Sequence, residues 1–128
     1  MVVIKINTAS VHRNVAFAQG TLVDPGRRLM FIGGQNGVDQ RGRIVGADTL
    51  SQTRQALRNL LAVLAEVGAT QENVAKMTVH LTESADLSEA YAASASEWGQ
   101  HPTAVTVLRV AGLANPEFLV EIDAVAAL

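Results

Sequence analysis

Phe118-Leu119-Val120-Glu121-Ile122-Asp123-Ala124-Val125 is an apolar run broken by two carboxylates at alternate positions. A period of two places Glu121 and Asp123 on one face of a strand with Leu119 and Val125. Phe118, Val120, Ile122 and Ala124 form the other face, which should pack beneath helices. Glu121 therefore points away from the helical layer, toward water or another subunit. A carboxylate buried in such a strand is costly unless something pairs with it, so Glu121 is the first candidate for chemistry. Two readings fit it. One is a salt-bridged residue on a solvated sheet face. The other is a carboxylate lining an intersubunit cleft, where loss of water favours the protonated form and suits the group to acid–base work.

Upstream, Thr103 to Val110 reads as a companion strand, joined to the first by the irregular segment Ala111-Gly112-Leu113-Ala114-Asn115-Pro116. Val74 to Thr82 alternates, with Met77, Val79 and Leu81 on one face and Lys76, Thr78 and His80 on the other, as in a half-buried strand. Before it, Leu50, Leu57, Leu60, Leu61 and Leu64 recur at helical spacing, a stripe suited to covering a sheet. Thr49-Leu50-Ser51-Gln52 fits a capping box with Thr49 as N-cap, and Gly68 supplies the stop. A second helix runs from a cap at Asp86 through Leu87, Tyr91, Ala95 and Trp98 to Gly99. Tyr91 and Trp98 are seven apart and share a face, which predicts core aromatics under the sheet; Phe17 reads the same way unless it borders a cleft.

Nearer the N-terminus, Val2 to Ile6 suits an edge strand. Val15 to Val23 and Arg28 to Gly33 flank Asp24-Pro25-Gly26-Arg27, which predicts a β-hairpin. Gly33-Gly34-Gln35-Asn36-Gly37 follows, and adjacent glycines at a strand end let another group approach the backbone closely. Val38 to Ala47 reads as an exposed loop. The order is β-hairpin, α, β, α, β, β: a single α+β domain over 1–128, with helices on one face of the sheet.

Composition narrows the function. The 128 residues are 48% hydrophobic and 17% charged, more apolar material than one small core needs, so part of it should cover a subunit interface. The net charge of −2 and ten scattered basic residues give no basis for nucleic-acid binding. Without cysteine there are no disulfides, thiolate nucleophiles or cysteine metal sites. Met1 to Asn7 lacks the pattern of a signal peptide, and no apolar run approaches the roughly 20 residues needed to cross a bilayer. A cytoplasmic location without membrane association is the expectation. His12, His80 and His101 are too dispersed in sequence to suggest a metal site. His80, on the more polar face of its strand, reads as a surface or interface residue. No Gly-x-Ser-x-Gly elbow occurs, and the glycines at 33–37 match neither a phosphate loop nor a dinucleotide fingerprint, so no cofactor is expected.

Several ordered segments resemble the RidA/YjgF family: Phe17-Ala18-Gln19-Gly20, Phe31-Ile32-Gly33-Gly34-Gln35, Gln52 to Leu60, Val74 to Val79, and Val120-Glu121-Ile122-Asp123-Ala124-Val125-Ala126. The resemblance implies a chorismate-mutase-like α+β fold, with two helices on one face of a mixed sheet. It also implies a homotrimer with inward-facing sheets and three intersubunit clefts. Archetypal members hydrolyse reactive enamines and imines, using an arginine early in the penultimate strand to clamp the substrate carboxylate, a task suited to a planar guanidinium. Here Ala104, followed by Val105, stands at that position. Arg109 lies roughly 16 Å further along and on the opposite face; Arg13 of a neighbouring subunit is the alternative source. The family's hairpin tyrosine matches Phe17, its serine before the Gly34-Gln35 pair matches Gly33, and its asparagine on the second helix matches Tyr91. Glu121 matches the acidic residue.

The implied ligand-binding set is thus Phe17, Gly33, Gly34, Gln35, Tyr91, Ala104 and Val105, with Glu121 as the catalytic candidate. The expected partner is a small, less acidic or aromatic metabolite. Two functions follow: a divergent hydrolase or deaminase, or a non-catalytic binding or protective protein. Some family members have been described as ribonucleases or translation inhibitors, to which the scattered basic residues lend nothing.

Overall fold

The structure, a computed structural model, describes residues 2–128. Strands β1 (Val3–Ile6) and β2 (Gly20–Val23) pair with each other. A mixed sheet follows, of order β3-β6-β4-β5, built from β3 (Leu29–Gln35), β4 (Val74–Thr82), β5 (Ala104–Val110) and β6 (Val120–Ala127). β4 and β5 are parallel because helix α2 (Leu87–Glu97) carries the chain back between them; the other pairs are antiparallel.

Helix α1 (Thr49–Glu66) buries Leu57, Leu60 and Leu64 against Val120, Ile122, Ala124 and Ala126 of β6 and Met77 and Leu81 of β4. Fully burying one such leucine contributes about 2 kcal/mol, so this stripe dominates the core. The strand faces agree with the alternation expected from period two, with Glu121 and Asp123 on the side away from α1. Gly68 and Gly99 take φ of +70° and +78° at the two helix ends. No helix among the described residues is long and apolar enough to cross a membrane.

Five details differ from expectation. The predicted hairpin does not form: β2 pairs with β1 and β3 with β6, while Asp24 to Arg28 carries the chain from one sheet to the other. Arg28 and Leu128 exchange both backbone hydrogen bonds, which locks β3 onto β6. Val15 to Gln19 is irregular rather than strand, because Asn14 accepts from the Ala16 amide and the Gln19 side chain binds Thr8, Val11 and His12 main-chain groups.

The α1 cap is Asp48, whose carboxylate accepts from the Ser51 amide. Thr49 instead accepts from the Asp86 amide at the start of α2, and Gln52 turns inward. Tyr91 is 43% exposed rather than a core residue, whereas Trp98 is buried. Finally, the last two strands are not neighbours, since β4 lies between them.

Candidate functional site

Glu121 stands on β6 beside the paired glycines of β3. Between Ile32↔Ala124 and Gln35↔Ile122 the ladder shifts register, so Gly33 and Gly34 together oppose Asp123 in a β-bulge. The bulge brings Gly34 under the Glu121 side chain: a Cβ there would lie 2.5 Å from Oε2 and 2.8 Å from Cγ. Only a residue without Cβ lets the carboxylate occupy that place. Gly33, by contrast, faces open space. Asn36 then orients the acid, its Nδ2 donating to Glu121 Oε1 and to the Val120 carbonyl, both at 3.1 Å.

This arrangement rests on a polar strip of α1. Asn59 Nδ2 donates to the carbonyls of Asn36 and Val38, and Gln55 Nε2 donates to Asn59 Oδ1, so α1 holds the loop that presents Asn36. Gln52 is wholly buried and fully used. It donates to the Gly46 and Glu117 carbonyls and accepts from the Leu119 amide, tying the loop and the entry to β6 onto one helix position. Gly37 lets the loop lie directly on that helix, since its Cβ would fall 2.6 Å from Gln52 Cα. His80, opposite Glu121 in the β4–β6 ladder, directs Nδ1 to the Glu121 main-chain carbonyl at 3.1 Å. A carbonyl only accepts, so Nδ1 carries the proton.

The other site residues lie at the far edge of the sheet. Phe17 and Tyr91 stand with ring centroids 6.3 Å apart and planes tilted by 31°. With Val105 they border a cavity of about 680 Å³ on the helical side of β4 and β5. Ala104 faces the opposite way. Its ladder partner is Lys76, whose Nζ donates to Thr106 Oγ1 on the same face. Arg109 is committed elsewhere, donating to the Thr82 and Ala85 carbonyls at 3.0 and 2.7 Å. Arg13 lies in the exposed segment before β2.

The predicted residues thus form two groups in one chain: Gly33, Gly34, Gln35 and Glu121 at the β3–β6 edge, and Phe17, Tyr91, Ala104 and Val105 at the β5 edge. Three strand spacings, roughly 14 Å, separate β3 from β5. Within one chain Glu121 and Ala104 are two strands and four residues apart, roughly 16 Å. Sequence reasoning missed Asn36 as the partner of Glu121 and Asn59 as its support. The signal available was the asparagine directly after the glycine pair, and the Gln52-Gln55-Asn59 strip at helical spacing on an otherwise apolar helix.

A mixed four-stranded sheet with two helices on one face and an acid held over a glycine bulge defines a chorismate-mutase-like α+β domain of the Rid type. The family model described as endoribonuclease L-PSP matches residues 11–128. A RutC family protein of Pyrococcus horikoshii is 35% identical over 99 residues, 77% of this chain and 78% of the relative. A solved structure of a Rid-family protein of unknown function from Yersinia pestis covers 100% of both chains at 32% identity and a TM-score of 0.89. The rat 2-iminobutanoate/2-iminopropanoate deaminase is 36% identical over 69 residues, 53% of this chain and 48% of its own length. The chain belongs to the RidA/YjgF family, whose model carries the endoribonuclease L-PSP description.

Proposed function

We propose that this chain forms a homotrimeric ring whose clefts bind a small metabolite and hydrolyse an imine-like C=N bond, with Glu121 as the acid–base group. The carrying observation is the Glu121 carboxylate, held by Asn36 above the backbone of Gly34. Two incomplete half-sites at opposite edges of one sheet suit a head-to-tail contact, which closes into a ring when the rotation permits. In each cleft the β3–β6 edge of one protomer would meet the β5 edge of the next.

Hydrolysis there needs little machinery. Glu121 takes one proton from water as the oxygen bonds to the imine carbon and passes it to nitrogen, giving a carbinolamine; it then takes the carbinolamine hydroxyl proton and delivers it to nitrogen as C=O forms and the C–N bond breaks. The products are a carbonyl compound and ammonia or an amine. Ala104 offers no guanidinium, and Lys76 across the ladder is a point charge already directed at Thr106, so a substrate carboxylate has no bidentate anchor. Substrates with little negative charge and an apolar body suit the cleft best.

The decisive assay offers freshly generated uncharged imines and, in parallel, 2-imino acids made from serine or threonine. Faster hydrolysis of the uncharged imine, abolished in Glu121→Gln with the assembly intact, is the expected result. Turnover unchanged in that variant would remove Glu121 from the chemistry. A non-catalytic binding role is the second reading, favoured by Ala104, Phe17 and Gly33 where archetypal members carry polar groups; saturable binding without product would establish it.

A further inference from the structure

We propose that His80 is a second acid–base residue of the Glu121 half-site, sharing with Glu121 the proton transfer that breaks down the carbinolamine. This role rests on the hydrolysis proposed for Glu121 and adds a group to it.

His80 lies on β4, a central strand, with Glu121 of β6 as its ladder partner on one side and Leu108 of β5 on the other. Thr82 donates its amide to the Leu119 carbonyl at 3.0 Å. Two residues along the ladder, His80 and Glu121 therefore form a hydrogen-bonded pair again. In such a pair the Cα atoms lie about 5.5 Å apart and both side chains share a face. An imidazole and a carboxylate thus rise side by side from the face away from the helices.

Each group is held at one atom and free at the other. Asn36 donates to Glu121 Oε1, and His80 Nδ1 donates to the Glu121 main-chain carbonyl. Glu121 Oε2 and His80 Nε2 have no hydrogen-bond partner among the described residues. The buried side-chain atoms without a partner there are Lys5 Nζ and Thr53 Oγ1, so Oε2 and Nε2 both reach the open face. With the proton fixed on Nδ1, Nε2 presents a lone pair to that face. A histidine that only bridged two strands would need no accessible Nε2.

Imine hydrolysis moves two protons from oxygen to nitrogen, on a carbon that becomes tetrahedral between the two transfers. Glu121 leans over Gly34 toward β3, whereas His80 stands on the β4 side of the same strand. The hydroxyl and the amine of the carbinolamine point in different directions, and groups on two sides can serve them. Nε2 takes the hydroxyl proton as C=O forms and gives it to nitrogen as the C–N bond breaks. The imidazole is then back in its starting state.

The test follows hydrolysis of a freshly generated uncharged imine by the full chain. His80→Asn keeps an amide donor for the Glu121 carbonyl but has no proton acceptor where Nε2 stood. Its kcat should fall about 100-fold with KM unchanged. His80→Ala should fall as far, and added imidazole should raise its rate about tenfold, saturably, while leaving Glu121→Gln inactive. Circular dichroism and oligomeric state of both His80 variants should remain native. A kcat near native in His80→Asn overturns the proposal, and so does a failure of imidazole to restore His80→Ala. If Glu121→Gln is inactive in that same assay, the role of Glu121 survives the loss. A native protein without turnover removes both.

Discussion

At the scale of single residues, the chain places a carboxylate by deleting a methyl group opposite it. A Cβ at position 34 would overlap Glu121 Oε2, Cδ and Cγ, all within 2.8 Å, while one at position 33 would touch nothing. Gly34→Ala should therefore swing Glu121 off Asn36 without unfolding the sheet, because a flexible side chain can yield. Side-chain carboxyl NMR should show a large change for Glu121 in Gly34→Ala and little in Gly33→Ala, with a stability cost of about 1 kcal/mol or less for the exposed Gly33. Equal effects would mean that the bulge, not contact with Gly34, sets the acid's position. The orientation of Glu121 was legible in the sequence because strand alternation is fixed geometry. Its partner was not, since Asn36 reaches it across 85 residues of chain and a bulge that displaces the register.

Among the elements, the same limit recurs wherever polar side chains chose distant partners. Thr49 read as the cap of α1, but Asp48 takes that role because tertiary contacts claim the capping-box residues: Thr49 is taken by α2 and Gln52 by the buried loops. The helical stripe of leucines and the β4 and β6 alternations, which depend only on local periodicity, match the structure. Gln52→Leu should leave the Leu119 amide and two carbonyls without partners and cost about 2–4 kcal/mol in urea denaturation. A loss below 1 kcal/mol would show that water replaces those bonds.

The helix ends also impose a pH dependence. The Ser51 amide holds the Asp48 carboxyl below its ordinary range, the Ser88 hydroxyl and Glu89 amide do so for Asp86, and the hydrogen bond from Arg58 leads for Glu97. Each group is depressed in the folded state, so its contribution is present above its unfolded value, near pH 4, and fades as pH falls through the folded one. Thermal unfolding should be flat above about pH 5 and fall below about pH 4. Asp48→Ala should lower the plateau and shallow the acid limb, and an unchanged limb would assign the acid loss elsewhere.

For the molecule as a whole, the sheet face opposite the helices carries both the acid and a set of large apolar groups. Phe31 is 74% exposed and Leu29 and Leu108 are also open, beside Lys76, Thr78, His80 and Asp123. Such a face on a small domain calls for a cover. The surplus of apolar residues was legible in composition, but which face held it emerged only once β4 was seen to separate the last two strands. If the proposed ring supplies the cover, Phe31→Glu should convert trimers to monomers in sedimentation while helix content is retained, and turnover should vanish with the ring.

A sharper test uses two inactive proteins. Glu121→Gln spoils the β3–β6 half-site and Ala104→Trp obstructs the β5 half-site, at opposite edges of one sheet. If each site draws its halves from two protomers, co-refolded mixtures regain clefts with an intact Glu121 facing an open β5 edge. At equal proportions and random assembly, about one cleft in four is then whole, so about a quarter of the native rate should return. Sites contained within one chain would recover nothing, since every protomer carries one lesion. Mass spectrometry of intact assemblies confirms that mixed rings have formed, and an inactive mixture containing them would refute the shared cleft.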